Sequence, residues 1–365
     1  MNHAVHPPET DLLLPLPDGA EGAGWDHHTI HTHYFGFSVP EAQIGAFLYV
    51  RYQPTFPLSQ GGVAIFQGVD NVNVLDVAHL DYEVTMPWPD VDGNVITTAN
   101  GLRIEFLEPG RVARVSYASK DGRTSFDVTQ TAVTPLLARG HVMPGEDDHH
   151  GDPGRVPGGS EQFMHCVGSL TLEGVEYDVD CFTPRDRSWR QVRTEDQGGV
   201  PVPPVGWSPM YFADSNGQGE LIFNQISFEA PDTDPAWTGL FDLPEGAPTH
   251  HFAWLIHKGE TRQVTRIRRN VLERQALTFA TLRQEVEATD EDGRVWRFTG
   301  EAIATATIPA WPNVSFHDSV FRWTDEEGRI AHATYQEIWF DKYQRAMVAR
   351  ASQPAIQPTR IEGDN

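Results

Sequence analysis

The sequence predicts an all-β protein, built as a sandwich or barrel of antiparallel strands. Three observations support this fold class. Apolar or β-branched residues alternate with polar ones in many short segments, dipeptides that favour hairpin turns separate these segments, and long stretches with helical periodicity are nearly absent. Many short strands joined by regular turns are typical of β-sandwiches and β-barrels.

Five dipeptides mark the predicted hairpins. Each is an acidic residue followed by glycine, a pair that accepts the backbone angles of a tight turn between antiparallel strands. They are Asp92-Gly93, Asp121-Gly122, Glu173-Gly174, Asp292-Gly293 and Glu327-Gly328. The segment after the last of them, RIAHATYQEIWFD, alternates strictly and predicts a strand near the end of the chain.

Two segments rich in glycine and proline, 144–160 and 196–207, are interpreted as linkers. We take the second as the boundary between two β units, because the hairpin around Glu173-Gly174 completes the first half, and 365 residues suffice for two domains. The predicted organisation is a sequence of four parts. They are an N-terminal extension over 1–22, a first β unit over 23–195, a second over 207–350 and a C-terminal tail over 351–365.

The charge balance argues against several kinds of partner. The chain has 51 acidic and 27 basic side chains, a net charge of −24, so its surface repels phosphate backbones and anionic lipids. No apolar run approaches the roughly 18 residues of a membrane helix, and the first residues lack the pattern of a signal peptide. We therefore expect a cytoplasmic protein that neither inserts into membranes nor binds nucleic acid. Its oligomeric state stays open.

The segment CFTPRDRSWRQVR, 181–193, gathers four arginines in an otherwise acidic chain. If Glu173-Gly174 is a two-residue turn, this segment pairs with the strand before it, and opposed side chains lie about 4.5–5.5 Å apart. The expected opposed pairs are Cys166 with Cys181, Gln162 with Arg185, and Glu161 with Asp186. For the cysteines we favour two buried thiols over a disulfide, because a disulfide also needs specific torsion angles.

The opposed carboxyls of Glu161 and Asp186 are the first catalytic candidates. Two carboxyls at this distance cannot both ionise cheaply, so we expect one shared proton and one raised pKa. Such a group can protonate an alkene or a carbonyl at neutral pH. In the alternative interpretation, the carboxyls belong to a structural salt-bridge network with neighbouring guanidinium groups. The candidates for that network are Arg185, Arg187 and Arg190.

The segment 160–193 resembles the AttH-like and carotenoid-hydratase-like (hydroxyneurosporene synthase) group. That group carries an acidic-Gln pair, a glycine-rich hairpin and an Arg-Asp-His-Ser-Trp-Gly-x-Arg segment. The matching positions here are Glu161, Gln162, Gly168, Gly174, Arg185, Asp186, Ser188 and Trp189. The chain departs from the pattern with Arg187 in place of His, Arg190 in place of Gly, and the last arginine offset to Arg193. Arg187 cannot exchange a proton as His would, because arginine stays protonated.

The resemblance implies two lipocalin-like (calycin) β-barrel halves packed together around an apolar cavity. Members of the group with known activity add water to carotenoid double bonds, and similar-looking proteins carry out cyclisations of the Diels–Alder type. For such a reaction our own candidates are Asp186 and Glu161 for proton transfer, with Arg185 and Arg187 setting their charge and His165 in support. Aromatic side chains would bind an apolar substrate. Our candidates for this binding role are Trp88, Phe163, Phe182, Trp189, Trp254 and Tyr335.

Three functions remain open at this point. The first is a hydratase, lyase or cyclase that protonates a double bond of an isoprenoid-like or polyene substrate. The second is a non-catalytic carrier of a lipophilic molecule, and the third a cyclase that works by shape alone.

We expect no cofactor, since the sequence has no GxSxG, P-loop, CxxC or HExxH motif and no GxGxxG after a strand. We also expect no metal. His31 and His33 have a spacing used in metal sites, but solvated or core-edge histidines are the favoured interpretation.

Overall fold

A computed structural model of the chain describes residues 5–12, 27–138, 158–192, 204–241, 245–310 and 314–352. These residues are folded almost entirely into antiparallel β-sheet, which confirms the predicted fold class. Both predicted linkers and the C-terminal tail lie largely outside the described residues. The boundaries proposed for the two β units stay predictions.

The first sheet has twelve strands among the described residues, in the order β4-β3-β2-β1-β12-β11-β9-β8-β7-β6-β5, with β10 paired to β11. It curls into a half-barrel. Its strands are β1 Thr29–Val39, β2 Ile44–Gln53, β3 Leu58–Gln67, β4 His79–Pro87, β5 Asp90–Asp92, β6 Val95–Thr97, β7 Arg103–Glu108, β8 Val112–Ala118, β9 Ser125–Ala132, β10 Leu137–Ala138, β11 Gly158–Leu172 and β12 Val175–Val192.

The second sheet closes on itself. Its first strand pairs with both β15 and β21, so eight strands form a barrel, and β14 adds to β15 outside this ring. The strands are β13 Val205–Trp207, β14 Met210–Ala213, β15 Gly219–Phe228, β16 His250–His257, β17 Glu260–Arg274, β18 Thr281–Asp290, β19 Val295–Thr307, β20 Val314–Asp325 and β21 Ile330–Phe340.

Short helices cover the ends of the sheets. The α-helix α1, Asp341–Ala351, packs Tyr343 and Met347 against Trp237 and Trp339 at one end of the closed barrel. Among the described residues, no helix is long and apolar enough to cross a membrane. The 3₁₀ helices are Pro8–Leu12, Pro40–Ala42, Val74–Asp76 and Pro235–Trp237.

Four of the five acidic-Gly dipeptides lie in connections between consecutive paired strands, and in the fifth Asp92 is the last residue of β5 and Gly93 begins the turn to β6. The turn between β11 and β12 shows why the sequence favours it. Glu173 and Gly174 have φ angles of 51° and 86°, the left-handed backbone that a two-residue hairpin turn requires. This turn fixes the register, and Glu161 opposes Asp186, Gln162 opposes Arg185, and Cys166 opposes Cys181, as predicted.

The two sheets pack face to face through β1, β2 and β3 of the first. Every residue of β1 is buried, because one side of the strand faces the interior of the half-barrel and the other faces the second sheet. Tyr34 and Phe47 belong to a core that also contains Trp207, Phe316 and Val320 of the second sheet. This shared core forms the walls of the candidate site.

Candidate active site between the two sheets

A cavity of about 70 Å³ lies where the sheets meet. Side chains of both sheets line it, so neither sheet alone would form it. From the first sheet come Thr32, Tyr34, Phe47, Tyr49, Glu161 and Asp186. From the second come Val205, Trp207, Ile226, Phe316, Gln336 and Ile338, with Ala310 just after β19.

Strand alternation directs these side chains toward the cavity. On β1, Thr32 and Tyr34 face the second sheet, whereas His33 and Phe35 face the interior of the half-barrel. On β11 and β12 the same rule places Glu161 and Asp186 on the side of the second sheet. Two of the five predicted catalytic side chains therefore line one cavity, and their roles in catalysis stay predictions.

The carboxyl of Glu161 is almost completely removed from solvent, with 3% of the residue exposed. Asn224 on β15 donates a hydrogen bond from Nδ2 to Oε2 of Glu161, and its own Oδ1 accepts one from Trp207 Nε1 at 3.0 Å. The amide therefore orients the carboxyl from the opposite sheet. Asp186 is half-buried at the cavity wall.

A third carboxyl, Asp318 on β20, was not singled out from the sequence. It is 2% exposed and lies opposite Gln336, which lines the cavity. Burial raises the pKa of Asp318 well above its usual value, so the fold favours the protonated, neutral form of this carboxyl. Among the described residues, no hydrogen-bond partner reaches its Oδ1 atom. Alternation within VSFHDSVFRW places Asp318 on the face of Phe316 and Val320, and this was the only available signal.

The hydroxyl of Tyr34 lies near Asp186 and Asp318. It shares a hydrogen bond of 3.2 Å with Thr334 Oγ1 on β21. Burial, and then the nearby charges of Asp318 and Asp186, raise the pKa of Tyr34 well above its usual value. The phenol therefore stays protonated and can donate a hydrogen bond to a ligand or pass on a proton.

Aromatic rings make up much of the remaining wall. The Phe47 ring lies 5.4 Å from Tyr34, 5.3 Å from Tyr49 and 5.4 Å from Phe316, measured between ring centroids. Trp207 meets Tyr34 edge-on at 5.7 Å. These five rings form one continuous surface beside the two carboxyls.

The guanidinium of Arg185 lies on the other side of the hairpin, in the half-barrel. It forms a bidentate ion pair with Asp11, at 3.1 and 2.8 Å, and its Nε donates to Gln162 Oε1 at 2.8 Å. Arg185 therefore neutralises Asp11 rather than the Glu161–Asp186 pair. Arg187 donates to the carbonyl of Thr10, and burial lowers its pKa to about 10. Asp11 and Thr10 of the N-terminal extension therefore bind these two arginines. The sequence analysis did not include the N-terminal extension in the site.

His31 and His33 are core residues of the half-barrel. Burial, followed by the charge of Arg187, lowers the pKa of His31 to about 3 and that of His33 well below its usual value. Both imidazoles are therefore neutral. Within the described part of the chain, no group of three or more His, Cys, Asp or Glu side chains is placed to hold a metal ion.

The other predicted site residues lie outside this cavity. His165 Nε2 forms a hydrogen bond of 2.7 Å with Asp180 Oδ1 on the exposed part of the hairpin. Trp189 is half-buried and packs edge-on against His6 of the N-terminal segment at 5.1 Å. Trp88 packs 5.5 Å from Tyr52.

Three of the remaining aromatic candidates form a separate cluster between the sheets, and the fourth is in the closed barrel. Phe163 lies 6.1 Å from Trp254, and Phe182 stacks on Tyr211 at 4.4 Å. Tyr335 accepts a hydrogen bond from Arg269 at 2.6 Å inside the second sheet. A substrate-binding role for these residues stays a prediction.

Cys166 and Cys181 are buried side by side without a disulfide, in agreement with the favoured interpretation.

The fold and site define a protein of two lipocalin-like β-barrel halves with an acid-lined cavity between them. A family model described as a domain of unknown function (DUF7064) matches residues 24–336, so the chain belongs to that family. No curated protein matches the chain.

Three solved structures are similar over most of the chain. That of CghA has a TM-score of 0.51 and 11% identity, covering 86% of this chain and 88% of that one. CghA with Sch210972 has a TM-score of 0.48 and 11% identity, with coverages of 86% and 89%. Kievitone hydratase from Nectria haematococca has a TM-score of 0.45 and 12% identity, with coverages of 91% and 94%. At such identities the likeness to CghA shows the fold alone.

Proposed function

We propose that this protein is a hydratase, lyase or cyclase that protonates a double bond of an apolar, isoprenoid-like or polyene substrate in the cavity between the sheets. One observation carries the proposal: Glu161 and Asp186 oppose each other at the wall of an aromatic cavity. A protonated carboxyl in such surroundings is shielded from bulk water and can act as a general acid toward the substrate. The motif resemblance to carotenoid-hydratase-like proteins supports the same chemistry.

The carboxyl pair at the cavity can both supply the proton that the reaction needs and take one back. The acid of the Glu161–Asp186 pair gives its proton to one alkene carbon, and the other alkene carbon becomes a cation beside the aromatic rings. Water then adds to the cation, or a second double bond of the substrate attacks it and closes a ring. The proton released from the bound water, or from a carbon next to the ring cation, returns to the carboxylate. The reverse sequence removes water.

The test is turnover in D₂O. Native mass spectrometry of protein purified from its source identifies an apolar molecule that accompanies it, and that molecule joins a panel of polyenes and prenylated compounds. Hydration or proton-initiated cyclisation places one deuterium on a product carbon. A cyclase that works by shape alone gives a product without deuterium, and a carrier gives no product. Either of these results would overturn the proposal.

Two variants assign the acid. Asp186→Asn and Glu161→Gln keep the shape of each side chain but remove the proton, so we expect turnover to fall by roughly 10²–10⁴-fold. Asp178→Asn, an exposed position on the same strand, is the matched control and should keep full activity. Thermal unfolding of all three separates loss of chemistry from loss of fold. Folded variants that retain activity would contradict the assignment.

A further inference from the structure

We propose that the cavity between the sheets selects organic cations, and that it binds a quaternary or protonated tertiary ammonium group and rejects anions of similar size. The inference rests on the proposed function in taking this cavity as the ligand site, and it names the charge class of the ligand. It is argued from the charge, the walls and the volume of the cavity.

The charge at the cavity has one sign. Glu161 and Asp186 line it and together carry one negative charge when they share a proton, while Asp318, behind Gln336, is a further acidic group and adds no positive charge. Of the described residues that line the cavity, none is lysine, arginine or histidine. A carboxylate or phosphate brought here would face acidic groups in a poorly solvated space, whereas a cation would be attracted. The net charge of −24 also raises the local concentration of cations around the whole molecule.

The walls favour the same ligand. Five aromatic rings are contiguous around the cavity, with centroid separations of 5.3–5.7 Å. The faces of such rings carry negative partial charge, and aromatic cages of this kind recognise quaternary ammonium groups. Their contribution is largest where the ring and the cation are both shielded from water. Tyr34, Phe47, Tyr49, Trp207 and Phe316 are all buried.

The cavity volume fits a small ammonium head. A water-sized group needs roughly 10–15 Å³ of such space, so about 70 Å³ holds about five groups of that size. A trimethylammonium head with one further methylene has this number of heavy atoms. A long substrate would place its cationic end here and extend beyond the cavity.

The buried guanidinium of Arg51 would favour an anionic ligand instead. Arg51 lies two residues beyond Tyr49 on β2 and therefore on the same face, although it does not line the cavity. If its charge dominated, an anion would bind in preference to a cation. The experiment therefore includes an anionic probe.

The probes are choline, its neutral isostere 3,3-dimethylbutan-1-ol, and 3,3-dimethylbutanoate, measured by calorimetry at millimolar concentrations on the full-length protein. We expect choline to bind at least about tenfold more tightly than the alcohol, with no measurable binding of the anion. Equal affinities, a preference for the alcohol, binding of the anion, or no binding of any probe would overturn the inference.

Two substitutions at Trp207 check the location. Trp207→Leu removes an aromatic face and should reduce the preference for choline over the alcohol roughly tenfold, whereas Trp207→Phe keeps a ring and should retain most of it. Unchanged selectivity in a folded Trp207→Leu variant would place the site elsewhere. If that variant does not fold, the ratio of affinities in the unaltered protein decides the matter.

These probes do not react, so binding is judged apart from turnover. Selective binding of choline without deuterium transfer to any alkene would refute the proposed function and leave this inference standing. Turnover without selectivity for choline would refute this inference and leave the proposed function standing.

Discussion

At the scale of single residues, Asp318 shows how a carboxyl can be kept neutral without a charged neighbour. It lies within the second sheet, under the contact with Tyr34 of the first, and burial alone raises its pKa. A neutral carboxyl there can accompany the Glu161–Asp186 pair without adding a second full charge to the cavity. Because Asp318 binds its proton more tightly in the folded chain, the free energy of unfolding depends on pH in a direction that can be tested.

We predict that Asp318→Asn becomes increasingly favourable for stability as the pH rises. Below about pH 4, Asp318 is protonated in both folded and unfolded chains. Above that pH the unfolded chain loses the proton while the folded chain keeps it, so unfolding becomes easier. Asparagine removes this effect, and the gain in unfolding free energy should grow by up to about 1.4 kcal/mol per pH unit until the folded-state pKa is reached.

The measurement is urea unfolding of both proteins at several values between pH 4.5 and 8. The Asp178→Asn variant, altered at an exposed position, supplies the background. If the stability difference between Asp318→Asn and the unaltered protein did not change with pH, Asp318 would not be protonated in the fold.

Arg190 has a backbone conformation that is unusual for a residue other than glycine. Its φ angle of 54° is in the left-handed region that favours glycine, and the resembled motif has glycine at this position. Arg190 therefore adopts a backbone conformation that glycine takes with less strain.

At the scale of elements, the 3₁₀ helix Pro8–Leu12 closes one end of the half-barrel. Asp11 accepts both hydrogen bonds of the Arg185 pair and a third from the backbone N–H of Gly110 at 2.6 Å. Asp11 is 2% exposed. A buried, bidentate pair of this kind costs most when only one partner is removed.

We therefore expect Asp11→Ala to lower the free energy of unfolding by about 3–5 kcal/mol, because it leaves the Arg185 guanidinium buried and uncompensated. Chemical denaturation provides the measurement. The matched control is Asp127→Ala, which breaks the solvent-exposed pair with Arg114 and should cost much less. Equal losses in the two variants would show that the N-terminal segment does not hold the arginine.

The hairpin of β11 and β12 depends on another local constraint. A side chain at Gly168 would place its Cβ atom 2.2 Å from the carbonyl oxygen of Asp127 on β9. Only glycine allows the two strands this approach, and so the matching glycine in the motif has a structural reason independent of catalysis.

At the scale of the whole molecule, the cavity exists only because the two sheets touch. Gly45 on β2 marks the contact, since a Cβ atom there would lie 2.8 Å from Val320 Cγ2 of the second sheet and 2.6 Å from the Phe66 ring. The space between the sheets is therefore already filled at this point.

A double-mutant cycle tests that contact. We expect Gly45→Ala to lower the free energy of unfolding by about 1–3 kcal/mol. When Val320 is also alanine, the loss caused by Gly45→Ala should be smaller by about 0.5 kcal/mol or more. Gly300→Ala is the control, because the atoms nearest to its Cβ atom would belong to the Trp323 ring, and its cost should not depend on Val320. Additive effects of Gly45→Ala and Val320→Ala would mean that the sheets do not meet as described.

The sequence by itself determined the β class, the five hairpins and the pairing of Glu161 with Asp186. These features are local: a turn sets the register, and the two-residue period of a strand sets the face on which each side chain lies. Strands buried on both faces, such as β1, carry no alternation to interpret, and so the residues that form the contact between the sheets could not be predicted.

The tertiary structure alone decided the partners across long sequence separations. Asp11 meets Arg185 although 174 positions separate them, and Asn224 reaches Glu161 across 63. No periodicity encodes such contacts, because they arise from the packing of one sheet on another. The same packing brought Asp318 behind the cavity.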